Sequence, residues 1–474
     1  MSFEMRAFAE HLCRFRSTAG EERAAADWVE TRLADLGFET YTWDADPGLL
    51  TSHPSFPNDS GEIDVAGRRS VAGVLEVGDV DGRADGPTGD AAGDAPDSRT
   101  DDDGSTDDAS LTVVLNGHLD VVPAEPTSWS SDPFEPVWRS GKGRAIDGAM
   151  GGGDPSSGDV GGGETLTARG AADMKSGVAA CVGAALDVRD AAAAGAFDPP
   201  ESGLRIVVEA VAGEEDGGYG AATAALESPY PFKRDAAIVA EPTKLRPVVA
   251  CEGCLMAKLR LVGRSAHAAT RWRGKDVLPR FETIRRAFGD LERERAKTVT
   301  HPLFDEFPVP WPVVCGTVDA GSWASTVPAS LTAAFRIGVA PSETVDGVER
   351  AFRERLGEVA DDDPWLREHP PTFERFSVQF EPSEVPADAP VVKAIREGLV
   401  DAGLPDAEPV GATYGTDARH YIEAGIPTVV FGPGTIDEAH YPDETIEWAA
   451  VEDGRAAIAA AVRRFAERKG KTQQ

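Results

Sequence analysis

Acidic and imidazole side chains follow directly after several apolar runs of this 474-residue chain. They are His118 and Asp120 in LNGHLDVVP, Asp173 in RGAADMKSG, Glu214 and Glu215 in VEAVAGEEDGG, Glu241 in AAIVAEPT, and His440 in DEAHYPDE. Carboxylates and imidazoles are poor core residues, so their repeated position after apolar strands requires a partner that makes burial favourable. A divalent metal ion is the simplest such partner. The pattern therefore predicts buried strands whose ends meet at a metal site.

The apolar runs themselves indicate the fold class. LTVVLN, LRIVVEAV, AAIVAE and PTVVFG are apolar on both faces, and they alternate with helical patterns at Ser176 to Asp190, Tyr219 to Leu226 and Ala389 to Ala402. Strands of this kind, alternating with helices, predict an α/β sheet that is covered by helices on both faces. In such sheets, functional side chains collect at the carboxyl ends of the strands, where most of the acids and imidazoles fall.

Residues 254–381 have a different pattern. An alternating strand at KLRLVG is followed by a helical pattern from Val277 to Leu291, two strand-like runs (VVCGTVDA and LTAAFRIGV), a helix near Val345 to Val359 and a last strand at FSVQFEP. This βαββαβ order predicts a small two-layer α+β domain of the ferredoxin-like kind. Because the α/β pattern resumes after it, we expect this domain to be inserted into a catalytic domain made of residues 1–253 and 382–474.

The chain is strongly acidic, and part of the acid is concentrated in two stretches. Residues 79–109 and 140–164 are rich in Asp and Gly and nearly free of large apolar residues, so we expect them to be disordered inserts. The formal net charge of −34 predicts a surface that repels nucleic acid and anionic membranes. Because salt screens such self-repulsion, we hypothesise a halophilic origin.

The cysteines and the lack of apolar segments bear on the compartment. Five cysteines are few and odd in number, which argues against a disulfide framework. Cys251 and Cys254 form a CxxC without a second pair, and we interpret them as apolar strand residues rather than as a structural zinc or redox site. The sequence shows neither a signal-peptide pattern nor an apolar stretch of about 18 residues. We therefore expect a cytoplasmic protein without a membrane partner.

The residues after the apolar runs fit a hydrolytic metal centre. Two imidazoles and three carboxylates can hold two metal ions with one carboxylate shared, and one of the adjacent Glu214 and Glu215 can bind metal while the other faces the substrate water. Taken singly, a Glu-Glu pair usually marks a solvated face, and a lone histidine is usually a satisfied core residue. The combination is what predicts the site. Asp120 follows His118 by two residues, a spacing that lets its carboxylate accept a hydrogen bond from the ring.

Taken together, the motifs resemble those of the M20 metallopeptidases, which include acetylornithine deacetylases, succinyl-diaminopimelate desuccinylases, aminoacylases and glutamate carboxypeptidases. The resemblance covers nearly the whole chain apart from the two inserts, and it rests on STAGEE, GHLDVVP, RGAADMKSG, GEEDGG, EPT, GRSAHAA, GTDAR and AHYPDE in one order. It implies a zinc-peptidase-like catalytic domain, with residues 254–381 as a lid and dimerisation domain. It also implies two Zn²⁺ ions, with Co²⁺ or Mn²⁺ as alternatives.

The resemblance further implies a metal role for five residues. Asp173 would bridge the two metal ions. His118 and Glu241 would complete one site, and Glu215 and His440 would complete the other.

The remaining roles implied by the resemblance concern catalysis and substrate. Glu214 would be the general base, and Asp120 would orient the neighbouring ligand histidine. His267 in GRSAHAA would reach the active site of the partner subunit and stabilise the oxyanion, whereas by itself it would be interpreted as an exposed turn residue. Three residues would lie near the substrate carboxylate: Arg336, Gly415 and Thr416. Without the family, Arg336 would be interpreted as a solvated strand residue.

We therefore expect a homodimeric dinuclear zinc amidohydrolase that cleaves the amide bond of a small N-acyl amino acid. A dipeptidase or carboxypeptidase of the same family is the alternative, because acyl selectivity depends on contacts that the sequence does not place. A metal-binding or scaffold homologue without catalysis is a third possibility, and it predicts damage to the base or to a ligand, which the sequence does not show. Two departures from the family pattern are Gly213 in place of an Asp and Ser325 in place of an Asn.

Overall fold

The computed structural model describes residues 3–57, 59–78, 110–140 and 163–472. Within these residues the strands are, in chain order, β1 Glu39–Asp44, β2 Arg69–Val77, β3 Leu111–His118, β4 Val137–Ser140, β5 Glu164–Thr167, β6 Leu204–Val211, β7 Ala236–Val239, β8 Val248–Cys251, β9 Gly253–Val262, β10 Val313–Ala320, β11 Ser330–Val339, β12 Thr372–Arg375, β13 Ser383–Glu384, β14 Val410–Ala412, β15 Thr428–Val430 and β16 Thr445–Glu447. The α-helices are α1 Met5–Cys13, α2 Arg23–Asp35, α3 Pro47–Leu50, α4 Ser176–Ala193, α5 Tyr219–Leu226, α6 Leu278–Thr298, α7 Val345–Asp362, α8 Pro364–Glu368, α9 Pro390–Asp401, α10 Ala418–Glu423 and α11 Trp448–Thr472.

In the described part of the chain, a nine-stranded mixed sheet has the order β1-β2-β6-β3-β7-β15-β8-β13, with β14 paired to β8. Alternate residues of its strands face two different cores. Val113 and Leu115 pack into a core with α1, α2, α4, α9 and α11, whereas Val114 packs on the other face with Ala221 of α5 and Tyr421 of α10. Burial of each such aliphatic side chain contributes roughly 1.5–3 kcal/mol, which disfavours a one-residue slip in register. The prediction of a sheet covered by helices on both faces is confirmed.

The direction of the central strands brings the acids and imidazoles to one edge. Strands β6, β3, β7 and β15 run parallel to one another, so their carboxyl ends lie at the same edge of the sheet. Helix α4 approaches this edge closely, since a Cβ atom on Gly177 would lie 2.4 Å from the backbone oxygen of Ala240. Glycine at 177 therefore lets the start of α4, and Asp173 just before it, lie beside Glu241.

A second, four-stranded antiparallel sheet has the order β10-β11-β9-β12. Helices α6 and α7 cover one face and share a separate core with it, in which Phe288 and Phe352 pack near Phe335. The chain order βαββαβ and this strand order are those of a ferredoxin-like fold, as predicted. The bounds 254–381 for an inserted domain stay a prediction.

The predicted last strand of this sheet, FSVQFEP at 376–382, is wrong. On the side of β9 away from β11, the paired strand is β12, which ends at Arg375 before that segment begins; Phe380 of the segment forms an isolated bridge with Cys254. Ser377 has a φ of +58°, in the left-handed region, so an extended strand cannot run through it. Instead, the side chain of Gln379 accepts a hydrogen bond from the backbone N–H of Met256 at 2.8 Å and donates to its carbonyl at 3.3 Å.

Other sequence expectations concern the inserts, membranes and thiols. Residues 79–109 and almost all of 140–164, predicted to be disordered, lie outside the described residues. Among the described residues, no helix is long and apolar enough to cross a membrane. All five cysteines are described and are free thiols, and Cys251 and Cys254 are buried on β8 and β9, in agreement with the apolar interpretation.

Candidate metal centre

Three buried side chains converge at the carboxyl edge of the large sheet. His118 ends β3, Glu241 follows β7, and Asp173 lies just before α4. The Nε2 atom of His118 lies 3.0 Å from Oδ1 of Asp173 and 4.0 Å from Oε2 of Glu241. One donor atom from each residue fits within a group no more than 4.8 Å across. These residues form the first cluster.

A second cluster shares Asp173 with the first. The Nε2 atom of His440 lies 3.0 Å from Oε2 of Glu215 and 3.7 Å from Oδ2 of Asp173. The two carboxylate oxygens of Asp173 therefore face different clusters, Oδ1 towards His118 and Oδ2 towards His440. This is the arrangement required of a carboxylate that bridges two metal ions.

The spacing and the chemistry of both clusters fit divalent cations. Two ligands of a tetrahedral zinc ion, each about 2.0–2.1 Å from the metal, lie about 3.3–3.4 Å apart. The four histidine–carboxylate pairs of the two clusters lie between 3.0 and 4.0 Å apart, and all donor atoms of each cluster lie within 4.8 Å of one another. Burial raises the pKa of Glu241 well above its ordinary value, and the neighbouring carboxylate of Asp173 raises it further. A cation held between these groups would favour their ionised forms and so offset that cost.

Asp120 supports this site differently from the sequence prediction. The Nδ1 atom of His118 donates to the backbone oxygen of Asp120 at 2.9 Å, whereas the nearer carboxylate oxygen lies 3.8 Å away. The carboxylate instead accepts hydrogen bonds from the backbone N–H groups of Gly213, Glu214 and Glu215 at 2.8, 3.2 and 2.9 Å. The ring is thus held by the backbone, and the carboxylate holds the loop that carries the Glu-Glu pair.

Glu214 lies in this loop but belongs to neither cluster. Burial raises the pKa of its carboxyl well above the ordinary value, and the carboxylates of Glu241 and Asp417 raise it further. Glu214 therefore lies beside both clusters without joining them, and its role as a general base stays a prediction.

Gly213, a departure from the family pattern, has a structural reason. Its φ of +84° lies in the left-handed region, which favours glycine. A Cβ atom at this position would lie 3.0 Å from Nη1 of Arg68, whose Nη2 donates to Asp216 at 2.5 Å. The ring of Tyr219, whose Cδ2 atom lies 2.9 Å from that Cβ position, and the guanidinium of Arg68 therefore occupy the space that a side chain at 213 would need.

Arg336 has partners within the chain. Its Nη1 atom donates to Oε1 of Glu252 at 2.6 Å, and its Nη2 atom donates to the backbone oxygen of Thr413 at 3.3 Å. Glu252, which links β8 to β9, is fully buried, and burial raises its pKa to about 8 although Arg336 acts in the opposite direction. The guanidinium thus contacts the segment that leads to Gly415 and Thr416, the other two residues predicted near the substrate.

His267 is exposed in the single chain. Its Nδ1 atom accepts a hydrogen bond from the backbone N–H of Ala269 at 3.1 Å, and its backbone forms an isolated bridge with Thr326. Ser325, the second departure from the family pattern, lies beside it and accepts a hydrogen bond from Ala268 through its backbone oxygen. The structure brings His267 into neither metal cluster.

A cavity of 480 Å³ adjoins the loops that carry two of the candidate ligands. One wall begins at Pro242, directly after Glu241, and another ends at Asp437, three residues before His440. Its apolar lining includes Phe307, Val309, Tyr414 and Ile436. The cavity offers space for a small organic molecule, although Glu241 and His440 themselves are not among its lining residues.

Sequence reasoning missed Glu444. This residue is buried, and its carboxylate accepts hydrogen bonds from the loop that contains Asp173. The sequence signal for it is its place in DEAHYPDE, four residues after His440. A buried acid so close to a candidate ligand needs hydrogen-bond partners, which makes it a candidate for supporting the site.

A family model and a relative of known activity both match this chain. The family model described as peptidase family M20/M25/M40 matches residues 114–464. The acetylornithine deacetylase of Proteus mirabilis (strain HI4320) is 27% identical over 359 residues, which are 74% of this chain and 79% of that protein.

Two solved structures show the same fold. The M20 family metallo-carboxypeptidase Sso-CP2 from Sulfolobus solfataricus has a TM-score of 0.64 at 14% identity, covering 98% of this chain and 100% of that chain. The YXEP protein of Bacillus subtilis, a dinuclear metal binding peptidase, has a TM-score of 0.56 at 13% identity, covering 98% and 97%. Because the family model matches well over half of the sequence, the chain belongs to peptidase family M20/M25/M40 and hydrolyses amide or peptide bonds.

Proposed function

We propose that the protein is a dinuclear zinc hydrolase that removes the acyl group from a small N-acyl amino acid. The observation that carries this proposal is the position of Asp173, whose two oxygens lie 3.0 and 3.7 Å from histidine nitrogens of separate clusters. The similarity to an acetylornithine deacetylase favours an acyl amino acid over a peptide. A dipeptidase or carboxypeptidase is the second candidate, favoured by the fold shared with Sso-CP2.

The chemistry follows from the residues around the two clusters. His118, Asp173 and Glu241 would hold one metal ion, and Asp173, Glu215 and His440 would hold the other. When bound, these ions would supply Lewis acidity for the scissile carbonyl and for the attacking water. The carboxylate of Glu214 accepts a proton from the water that attacks the acyl carbon. It then delivers that proton to the nitrogen as the C–N bond breaks, releasing the amine and a carboxylic acid.

The substrate-binding part of the proposal rests on the cavity and on Arg336. A volume of 480 Å³ falls within the range of about 300–1,000 Å³ that is usual for small-molecule sites. We assign the substrate carboxylate to Arg336, with Gly415 and Thr416 on the adjacent loop, because a guanidinium can pair with a carboxylate through two hydrogen bonds. Its contact with Glu252 means that the substrate shares this guanidinium with a buried acid.

We also propose a homodimer built on the four-stranded sheet. Strand β10 lies at its edge and exposes Val314 and Val318, and the nearby loops expose Trp272 and Trp323 by 75% and 73%. An apolar edge strand is a ready partner for a second copy of the chain. A dimer that buries this surface would bring His267 to the partner subunit, where it would stabilise the oxyanion.

The surface charge and the free thiols support our expectations about partners and compartment. A net charge of −34 disfavours nucleic acid as a partner and leaves a small substrate as the ligand. Five free cysteines suit a reducing compartment, so we place the enzyme in the cytoplasm.

The test is a substrate panel with the metal content controlled. The protein is stripped of metal with a chelator and reloaded with zinc, and amine release is measured from N-acetyl amino acids, N-succinyl amino acids and dipeptides. We expect turnover only after reloading, and the highest kcat/KM on an N-acyl amino acid. Faster turnover of dipeptides would favour the second candidate, and a zinc-loaded protein that is inert on the whole panel would overturn the proposal.

A further inference from the structure

We infer that Glu444 is a positioning residue that fixes Asp173 and His440 for metal binding. The inference rests on the proposed metal centre and adds a residue to it. Glu444 is buried, with a side chain that is 1% exposed, and it lies just before β16. A buried carboxylate is costly unless its oxygens are fully paired, so its partners indicate its purpose.

All of the partners of this carboxylate belong to the loop before α4. Oε2 of Glu444 accepts hydrogen bonds from Nη1 of Arg169 at 2.6 Å and from the backbone N–H of Gly170 at 3.1 Å. Oε1 accepts from the backbone N–H groups of Ala172 at 2.8 Å and Asp173 at 3.0 Å. One carboxylate therefore determines the backbone path of the residues that lead into the shared ligand.

The same pair of residues also holds the segment of His440. Nη2 of Arg169 donates to the backbone oxygen of His440 at 3.4 Å, and its guanidinium lies 5.1 Å from the ring centre of Trp129. The backbone oxygen of Glu444 in turn accepts a hydrogen bond from Ala168 at 3.1 Å. Arg169 and Glu444 thus tie two ligands of the second cluster together, although Asp173 and His440 are far apart in the sequence.

The chemistry of the partners requires a carboxylate at this position. All four groups that contact Glu444 are donors, so both of its oxygens must act as acceptors. A glutamine has the same shape but only one acceptor oxygen, and its amide N–H₂ would face two donors in either orientation. The substitution Glu444→Gln therefore disturbs the loop of Asp173 while it leaves all five proposed metal ligands in the chain.

The experiment measures zinc affinity rather than activity alone. Metal-free full-length protein is titrated with zinc in competition with a chromophoric chelator, for wild type, Glu444→Gln and the control Glu447→Gln. Glu447 is exposed and lies three residues along the same segment, so its substitution tests for an effect of charge removal alone. We expect Glu444→Gln to lower the affinity for one of the two zinc ions by about 10–100-fold, the usual effect of losing a residue that supports a metal ligand. We expect Glu447→Gln to bind zinc with the affinity of wild type.

A melting curve of each metal-free protein separates positioning from stability. A purely structural role would lower the melting temperature of Glu444→Gln and leave its zinc affinity equal to that of wild type. If wild type binds two zinc ions and Glu444→Gln binds both within twofold of it, this inference is overturned and the proposed function stands. A wild type that binds no zinc would overturn both.

A second variant covers failure of the first to fold. Arg169→Lys keeps the positive charge but has one terminal nitrogen, so it cannot contact Glu444 and His440 as the guanidinium does. We expect it to lower the affinity for the same zinc ion by about tenfold. Zinc binding by Arg169→Lys that equals wild type would count against the inference in the same way.

Discussion

Replacing Asp120 with Asn distinguishes two ways in which this residue can support the metal centre. The hydrogen bond from His118 goes to the backbone oxygen of Asp120, which asparagine keeps. The carboxylate is the acceptor for three consecutive backbone N–H groups, those of Gly213, Glu214 and Glu215. Asparagine supplies one acceptor oxygen, so its best orientation serves Gly213 and Glu214 and leaves the N–H of Glu215 facing an amide N–H₂.

The size of the effect follows from these three bonds. Two of the hydrogen bonds change from charge-assisted to neutral, which costs about 1 kcal/mol each. The third buried N–H loses its acceptor, which costs about 1–3 kcal/mol. Loss of a negative charge offsets part of this total, because burial and the nearby Asp120 together raise the pKa of Glu22 to about 7, which shows that Asp120 repels this carboxylate. We expect a net cost of about 3 kcal/mol for opening the loop, which corresponds to about a 10²-fold change in the opening equilibrium.

Hydrogen exchange of the metal-free protein measures this opening. Mass spectrometry of a peptide that spans residues 213–215 should show exchange about 10²-fold faster in Asp120→Asn, whereas a peptide from β7 should exchange as in wild type. If the carboxylate acted only by orienting His118, exchange in the metal-free protein would not change and only zinc affinity would fall. That result would refute the assignment of the carboxylate to the loop.

Three further predictions concern the metals, the dimer and the salt dependence. Elemental analysis should find no bound zinc in Asp173→Ala, whereas His267→Ala should keep both zinc ions and have a lower kcat. Two zinc ions in the Asp173 variant would contradict a carboxylate shared by both sites. Mixing Glu214→Ala with His267→Ala should raise turnover above that of either variant alone after subunit exchange, since a mixed dimer carries one intact site. No increase would count against a role for His267 across subunits. The urea midpoint should rise from low to molar KCl because salt screens the repulsion of a chain with net charge −34, and equal midpoints would contradict the halophilic hypothesis.

Three of the five predicted metal ligands lie next to an element that is recognisable in the sequence. His118 and Glu241 come at or just after strands that are apolar on both faces, and Asp173 precedes a helix with clear periodicity. Parallel strands bring such ends together at one edge, so the pattern along the chain implies proximity in space. The same reasoning predicted the two-sided cover of the large sheet and the βαββαβ order of the small one.

What the sequence could not predict depends on single hydrogen bonds between distant segments. Glu444 and the carboxylate of Asp120 act on backbone N–H groups, which every residue carries, so no residue pattern marks their partners. The last strand of the small sheet was misplaced because FSVQFEP alternates like a strand, while the left-handed backbone of Ser377 interrupts it. His267 is exposed in the single chain, so its predicted role depends on a second subunit, and the sequence of one chain does not show how two subunits meet.

The central claim is that Glu214 moves the proton while five other residues hold two metal ions. Zinc content and kcat of Glu214→Gln, measured beside wild type on the best substrate, test it most directly. We expect two zinc ions per chain in both proteins, because Glu214 lies outside both clusters. We expect a kcat lower by about 10²–10⁴-fold in the variant, the usual contribution of a general base. Loss of a zinc ion from the variant, or a kcat above about a tenth of the wild-type value, would contradict the proton-transfer role of Glu214.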